Sequence, residues 1–190
     1  MKYIVLILLS LGLMSCGNST VTAEDEAQFE KLKNLVESRQ FEIDSDWALP
    51  QASNSLNQIQ NTGLLGPGNT AGSINLIGNP NYLRINGDSI KAQLPFFGER
   101  RMGGGHYNDR KGGIELDGLY EDYSAEWNEK KRRYVIKFQA QDKNEQFMVT
   151  LNLFPNNNSS MILTGVQRTP IQYTGRVKIL DKDSKKAAMN

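Results

Sequence analysis

The spacing of apolar residues changes once along this chain, from a helical period to a period of two. The apolar residues at helical spacing are Phe29, Leu32, Leu35 and Val36. They follow Thr22, which stands three residues before Asp25 in the pattern of a helix start. This spacing predicts one helix from about Ala23 to Ser38, and its narrow apolar stripe favours packing on a β domain.

From Phe41 onward, apolar and polar residues alternate as they do in half-buried strands. One face of the first strand is predicted to carry Phe41, Ile43, Ser45, Trp47 and Leu49. The opposite face is predicted to carry Glu42, Asp44 and Asp46, and Pro50 ends the strand. The other predicted strands are 73–77, 82–85, 90–94, 113–116, 119–127, 134–140, 147–154, 161–167 and 171–177, with a loosely paired segment at 57–65.

Short polar turns separate these strands. Asn86-Gly87-Asp88 supplies the positive φ angles of a tight hairpin, and Asp117-Gly118 is predicted as another turn. Alternation on the later strands predicts an inward-facing set, which is Tyr134, Ile136, Phe138, Phe147, Val149, Leu151, Leu153, Ile162, Thr164 and Val166.

About ten strands with one N-terminal α-helix predict a mostly β protein. The strands should form an antiparallel meander, because parallel pairing needs crossover helices that this part of the chain lacks. The meander closes either as a lipocalin-like barrel or as a two-sheet sandwich, and periodicity does not choose between them. The meander slightly favours the barrel, whose interior could hold a small apolar ligand.

The first residues have a different character from the rest. Lys2 precedes an apolar run from Tyr3 to Leu13, which is too short for a spanning helix of roughly 20 residues but suits a cleaved leader. Leu13-Met14-Ser15-Cys16 resembles the bacterial lipobox, in which the cysteine becomes acylated. We therefore expect a lipoprotein signal peptide at 1–15 and lipid attachment, palmitate included, at Cys16. An ordinary secreted protein cut nearby is the alternative.

The expected organisation after the leader is simple. A tether at 16–22 leads into a single β-rich domain with its helix at 23–180, followed by a flexible tail at 181–190. The tether has no acidic run, which favours an outer-membrane lipoprotein that faces the periplasm. Cys16 is the only cysteine, so no disulfide forms within the chain.

The charge balance limits the classes of partner. The chain has 22 basic and 21 acidic residues and a formal net charge of +1. Such a chain has no overall field to recruit nucleic acid, so no nucleic-acid partner is expected. The remaining partners are the membrane through the lipid anchor, an envelope protein, or a small apolar or anionic ligand. The oligomeric state stays open.

A long glycine-rich connection between Leu94 and Gly113 interrupts the regular β pattern, and such connections are usually functional or disordered. Its arginines and lysine suit an anionic group, and its aromatics suit a partner or a cap over the barrel end. A solvated, mobile loop is the alternative. The candidate contact residues for a ligand or partner are Phe96, Phe97, Arg100, Arg101, His106, Tyr107, Arg110 and Lys111.

No catalytic pattern accompanies this connection. His106 is the only histidine, and no nucleophile elbow or metal-ligand spacing accompanies it. Gly103-Gly104-Gly105 lacks the ending of a phosphate loop. We therefore expect no catalytic residues, no metal and no cofactor, and a non-catalytic binding or accessory module is favoured. An envelope hydrolase that uses His106 and a purely structural envelope protein are the alternatives.

Several stretches occur together along the chain. They are the lipobox at Cys16, Phe41-Glu42-Ile43 after the helix, Tyr82-Leu83-Arg84-Ile85-Asn86-Gly87-Asp88, Leu94-Pro95-Phe96-Phe97-Gly98, Gly113-Ile114 and Arg168-Thr169-Pro170-Ile171-Gln172-Tyr173-Thr174-Gly175. In this combination the chain resembles an uncharacterised family of Bacteroidetes-type lipoproteins, the domain of unknown function DUF4251. The resemblance covers the mature chain and implies an exported, lipid-anchored, mostly β domain without an assigned activity.

Overall fold

The computed structural model describes residues 22–100, 112–142 and 145–180. Within these residues it contains two helices and nine strands. The helices are α1 (Ala23–Ser38) and α2 (Asn54–Asn61). The strands are β1 (Gln40–Pro50), β2 (Ile74–Asn75), β3 (Tyr82–Asn86), β4 (Ser89–Leu94), β5 (Ile114–Asn128), β6 (Arg133–Gln141), β7 (Gln146–Leu153), β8 (Asn158–Gly165) and β9 (Ile171–Ile179).

The strands form a closed antiparallel barrel, which decides between the two predicted closures. Strands β3 to β9 pair in chain order, as a meander does, and β1 pairs with both β3 and β9. Eight strands therefore close the barrel, and the short β2 is an extra strand on β1. The prediction of a mostly β, antiparallel fold with an N-terminal helix is confirmed.

Helix α1 begins and ends where the sequence predicts. The Thr22 side chain accepts a hydrogen bond from the Asp25 N–H, while the Asp25 carboxylate accepts one from the Thr22 N–H at 3.0 Å. This reciprocal capping box satisfies two backbone donors that a helix start leaves unpaired. At the other end, Arg39 adopts the left-handed conformation that terminates many helices.

Two segments were predicted wrongly. Residues 57–65 do not pair as a strand, because Ser53 caps the N–H of Leu56 and a second helix, α2, begins at Asn54. Asp117-Gly118 is not a turn, because β5 continues through it with Gly118 opposite Ile90 on β4. A composition typical of turns was overridden in this case by pairing to a neighbouring strand.

The inward-facing residues of β8 were also assigned to the wrong face. Met161 and Leu163 are the buried side chains, whereas Val166 is 68% exposed. Two interleaved apolar sets run through this strand, and alternation alone does not say which one faces the core. The inward set predicted for β7, from Phe147 to Leu153, is confirmed by its burial.

A β-bulge changes the faces of β1. The register with β9 shifts between Ser45 and Trp47, so one extra residue separates the two halves of the strand. Phe41 and Ile43 face the core as predicted, but beyond the bulge Ala48 does so in place of Trp47. The carboxylates before the bulge remain on the outer face.

The barrel interior is filled by apolar side chains. Those with no measurable exposure are Phe41, Ala48, Leu83, Ile85, Ile136, Val149, Leu151, Leu153 and Tyr173. No water-sized space adjoins such side chains, so among the described residues this is a packed core in the way of small barrels. Ligands or partners therefore have to meet the outer surface or the ends of the barrel.

The barrel has two ends that are covered differently. The helix end contains the start of β1 and the turns that follow β3, β5 and β7, and α1 lies over it, with Phe29 on Trp127. The strap end contains the turns that follow β6 and β8 together with residues 95–100, which we call the strap. The candidate contact residues belong to the strap end and to the connection that continues from it.

Candidate functional site at the strap end

Only part of the predicted contact set falls within the described residues. Phe96, Phe97 and Arg100 are described, and both phenylalanines are partly buried against the core. Arg101, His106, Tyr107, Arg110 and Lys111 lie outside the described residues, as does the predicted lipid attachment residue Cys16. The site can therefore be built from the strap and from the turns beside it.

The strap is held to the turn after β8 by backbone pairing. The Thr169 N–H donates to the Glu99 carbonyl at 2.9 Å, and the Glu99 N–H donates to the Thr169 hydroxyl at 3.1 Å. Arg100 and Arg168 form an isolated antiparallel bridge. This part of the long connection therefore has a defined conformation on a rigid scaffold, as binding segments commonly do.

The start of the strap is fixed from inside the barrel. The Tyr173 hydroxyl donates to the Pro95 carbonyl at 2.8 Å. Burial raises the pKa of the Tyr173 phenol well above its usual value, so the hydroxyl keeps its proton and remains a donor. Gly98 fits closely beside Thr169, where an added Cβ would clash with the hydroxyl oxygen.

A buried ion pair lies beneath the strap. Glu145 and Arg168, in the turns after β6 and β8, are 4% and 6% exposed, and Arg168 Nε donates to the Glu145 carboxylate at 2.8 Å. The second Glu145 oxygen accepts from the Gln167 N–H at 2.8 Å, and Arg168 Nη1 donates to the Gly113 carbonyl at 2.9 Å. One residue pair therefore joins both turns to the two ends of the long connection.

The guanidinium of Arg168 also lies between two aromatic rings. Its central carbon is 5.2 Å from the Phe96 ring centroid and 5.7 Å from that of Phe147. These distances allow cation–π attraction, which strengthens when water is excluded. Phe96 therefore packs against the buried arginine at this end of the barrel.

Two large apolar side chains stay exposed on the barrel wall next to this network. Met148 on β7 is 56% exposed, and Val166, just after β8, is 68% exposed. The two flank the Phe147–Gly165 pair, in which the Phe147 side chain is buried in the core. Alternation of apolar and polar residues predicted Val166 to face inward, so the sequence gives no sign that Met148 and Val166 form an exposed apolar pair.

A second polar feature crosses the outside of the barrel. Lys178, Glu42, Arg84, Lys91 and Asp117 are successive register partners on β9, β1, β3, β4 and β5. Glu42 is hydrogen-bonded by Arg84 and lies 3.0 Å from Lys178 Nζ. Burial raises the pKa of the Glu42 carboxyl, but the hydrogen bonds from the two cations outweigh it and the pKa is lowered.

An open groove of about 470 Å³ adjoins this row. Glu42, Asp44 and Asp46 line it on one side, and Ile77, Asn79 and Tyr82 on the other. Arg84 stacks on the Tyr82 ring at 3.9 Å, and Lys178 binds Asp44 as well as Glu42. Most of the charge in this groove is thus paired within the barrel wall.

Two further properties concern the described part of the chain alone. Its His, Cys, Asp and Glu side chains form no group of three that could hold a metal ion. None of its helices combines the length and the hydropathy needed to cross a membrane.

Most of the strap-end network could not be read from the sequence. Glu145 and Arg168 stand in different turns, and nothing in their spacing indicates that they meet. The usable signal is that Arg168-Thr169-Pro170 and Leu94-Pro95-Phe96-Phe97-Gly98 are two of the stretches on which the family resemblance rests, and the structure brings them together at one end.

Comparisons with known proteins agree with this fold. The family model for DUF4251, a domain of unknown function, matches residues 23–177. The crystal structure of a DUF4251 family protein from Bacteroides eggerthii DSM 20697 is similar to this chain, with a TM-score of 0.56 and 14% sequence identity over 84% of this chain and 94% of that one. No curated protein matches. The chain therefore belongs to the DUF4251 family.

Proposed function

We propose that this chain is a lipid-anchored envelope protein, facing the periplasm, that acts as a non-catalytic binding or accessory module through its strap end. The main support for a binding role is the pair of exposed apolar side chains, Met148 and Val166, next to the hydrogen-bonded strap. Large apolar side chains exposed within a polar surround are typical of interaction sites. The half-buried Phe96 adds an aromatic surface of the kind that interfaces favour.

The use of charge at the strap end supports binding over catalysis. Both oxygens of Glu145 accept hydrogen bonds from protein donors, and Arg168 is occupied by Glu145 and by Gly113. A general acid or base needs a proton that it can exchange with a substrate. These two residues instead hold the strap and both turns in one arrangement, which preorganises a contact surface.

The anchoring part of the proposal rests on Cys16 after the apolar leader. A tether of seven residues, from Cys16 to Thr22, would hold the barrel within reach of the membrane surface. The strap end would then face partners that are themselves held in the envelope. Confinement of both molecules to one compartment raises their effective concentration, so a modest interface suffices.

Site-specific photo-crosslinking tests this proposal in the full-length protein in its own host. A benzophenone amino acid replaces Val166 in one strain and Leu119, which is 74% exposed on the outside of β5, in a control strain. We expect a protein adduct of defined mass at Val166 with at least about tenfold higher yield than at Leu119, the ratio that about 1.4 kcal/mol of preferential binding gives. Equal yields would contradict the binding role.

The same cells test the anchor by fractionation. The wild-type chain is expected in the membrane fraction, and Cys16→Ser is expected in the soluble periplasm or as an uncleaved precursor, because it lacks the acyl chains. A processed Cys16→Ser chain that stays with the membrane would count against lipid anchoring, whatever the crosslinking shows.

A further inference from the structure

A second groove lies at the opposite end of the barrel, between α1 and β9, and the proposed function does not use it. Its volume is about 540 Å³, which is within the roughly 300–1,000 Å³ range of small-molecule sites. We call it the helix groove. Its main lining residues are Lys31, Leu35 and Ser38 from α1, Asn157 from the turn after β7, and Val177 and Ile179 from β9.

The helix groove exists because α1 covers only part of this barrel end. Ile179 is the register partner of Phe41, so both side chains are on the inward face of the sheet. Phe41 is fully buried, yet Ile179 is 67% exposed. The helix docks on the β5–β6 side instead, where the Phe29 ring is 4.6 Å from Trp127. An inward-facing apolar row therefore ends in an uncovered side chain.

The apolar floor of the helix groove has a cation at its rim. Lys31 is one helical turn before Leu35, and its ammonium makes no ion pair with any described residue. Its neighbours three and four positions away are not acidic; they are Ala27, Gln28, Asn34 and Leu35. The other lysine of the groove, Lys178, is already held by Glu42 and Asp44.

We infer that the helix groove binds a free long-chain fatty acid. The acyl chain would lie against Leu35 and Ile179 above the buried Val177, which removes apolar surface of Leu35, Ile179 and the ligand from water. The carboxylate would pair with the Lys31 ammonium, and the side-chain amides of Asn34 and Asn157, which also line the groove, are further possible donors. An apolar groove with few polar groups at one edge matches an amphiphile with one chain and one charge.

Photo-labelling tests this inference with palmitic acid that carries a diazirine in its chain. The full-length protein is labelled in isolated membranes without ATP, so the probe is not esterified, and the adduct is mapped by peptide mass spectrometry. We expect the label on peptides from α1 and β9. The matched control for groove variants is Leu119→Asp, because Leu119 is as exposed as Ile179 but lies elsewhere on the barrel.

The variants separate the apolar contact from the charge. Ile179→Asp should lower labelling about tenfold, the ratio that about 1.4 kcal/mol gives, while Leu119→Asp leaves it unchanged. Lys31→Ala should lower labelling about twofold to fivefold, as expected for a partly exposed ion pair. The matching diazirine alcohol should label wild type and Lys31→Ala equally, because it has no carboxylate.

Several results would overturn the inference. One is labelling that Ile179→Asp leaves intact while circular dichroism shows a folded protein. Equal labelling by the alcohol and the acid would show that no anion is recognised. Labelling that appears only after residues 181–190 are deleted would make that tail the occupant, and labelling that falls as the protein dimerises at higher concentration would make a second copy the occupant.

Discussion

The two ends of this barrel are closed by different physics. At the helix end, α1 lies over the opening through aromatic and aliphatic contacts, with Phe29 against Trp127 and Tyr134 and with Leu32 and Val36 buried. At the strap end, a buried ion pair and backbone hydrogen bonds fix the strap. Apolar contacts have little directional preference, whereas a satisfied polar network allows one geometry.

The consequence of this difference is visible in what each end leaves open. The helix covers one side of its end and leaves the helix groove on the other, with Ile179 exposed. At the strap end, Glu145, Arg168 and Tyr173 are buried beneath the strap. This difference is why we propose a fatty-acid site at the helix end and a preorganised contact surface at the strap end.

The largest effect is expected when the strap end loses its cation. Arg168→Met leaves the Glu145 carboxylate buried without its cation, so the free energy of unfolding should fall by about 3–5 kcal/mol. Urea unfolding followed by tryptophan fluorescence measures this change. Lys33→Met is the control, because it breaks the exposed Glu30–Lys33 pair and should cost less than about 0.5 kcal/mol. A loss below 1 kcal/mol for Arg168→Met would contradict the role assigned to the pair.

A smaller effect is expected when the helix end loses its aromatic contact. Phe29→Ala removes the ring that packs on Trp127 and Tyr134 and should lower the free energy of unfolding by about 2 kcal/mol, since Phe29 is only partly buried. Hydrogen exchange should quicken for α1 amides and stay unchanged for β7 to β9. Uniform quickening would show that the helix and the barrel open together, and the two ends would not be independent.

The smallest effect is expected from acid at the helix end. Hydrogen bonds from the Thr22 N–H and hydroxyl lower the Asp25 pKa, with Arg132 assisting. Because the folded pKa lies below the unfolded value of about 3.9, this stabilisation is present above that value and is lost as pH falls through the folded pKa. The protection factors of the first α1 amides, which correct for the intrinsic pH dependence of exchange, should therefore fall below about pH 4. Asp25→Asn should remove that pH dependence, and persistence of the dependence would assign it to another group.

The elements that local sequence determines were predicted well. Thr22 and Asp25 are close in the chain, so their capping box located the helix start. The burial of Phe147 and Val149 followed from alternation because only one apolar set occurs in β7. In β8 two sets compete, and the choice depends on register with β7 and β9, which alternation does not encode.

The site depends on contacts between distant segments, and this limited its prediction. The connection after Leu94 was correctly singled out as the break in the strand pattern, but the residues that hold the strap are in other turns. Only its place in one of the stretches that carry the family resemblance distinguishes Arg168 from the other arginines of the sequence. In the sequence, Glu145 is an ordinary acidic residue in a polar turn. The fold places it beside Arg168 and against Gly165, where an added Cβ would clash with the Glu145 carboxylate.

The pairing of β1 with β9, which closes the barrel, also affects how the chain folds. Phe41 at the start of β1 pairs with Ile179 at the end of β9, so the first and last strands of the barrel are partners. Because these two strands are far apart in the sequence, their pairing raises the contact order of the barrel. Pairings of this kind form slowly, since a long loop must close first. Until β9 is available, β1 and β8 each present an unpaired strand edge, which is a surface for aggregation. A chain that is cut before Ile171 lacks β9 altogether and cannot complete the barrel.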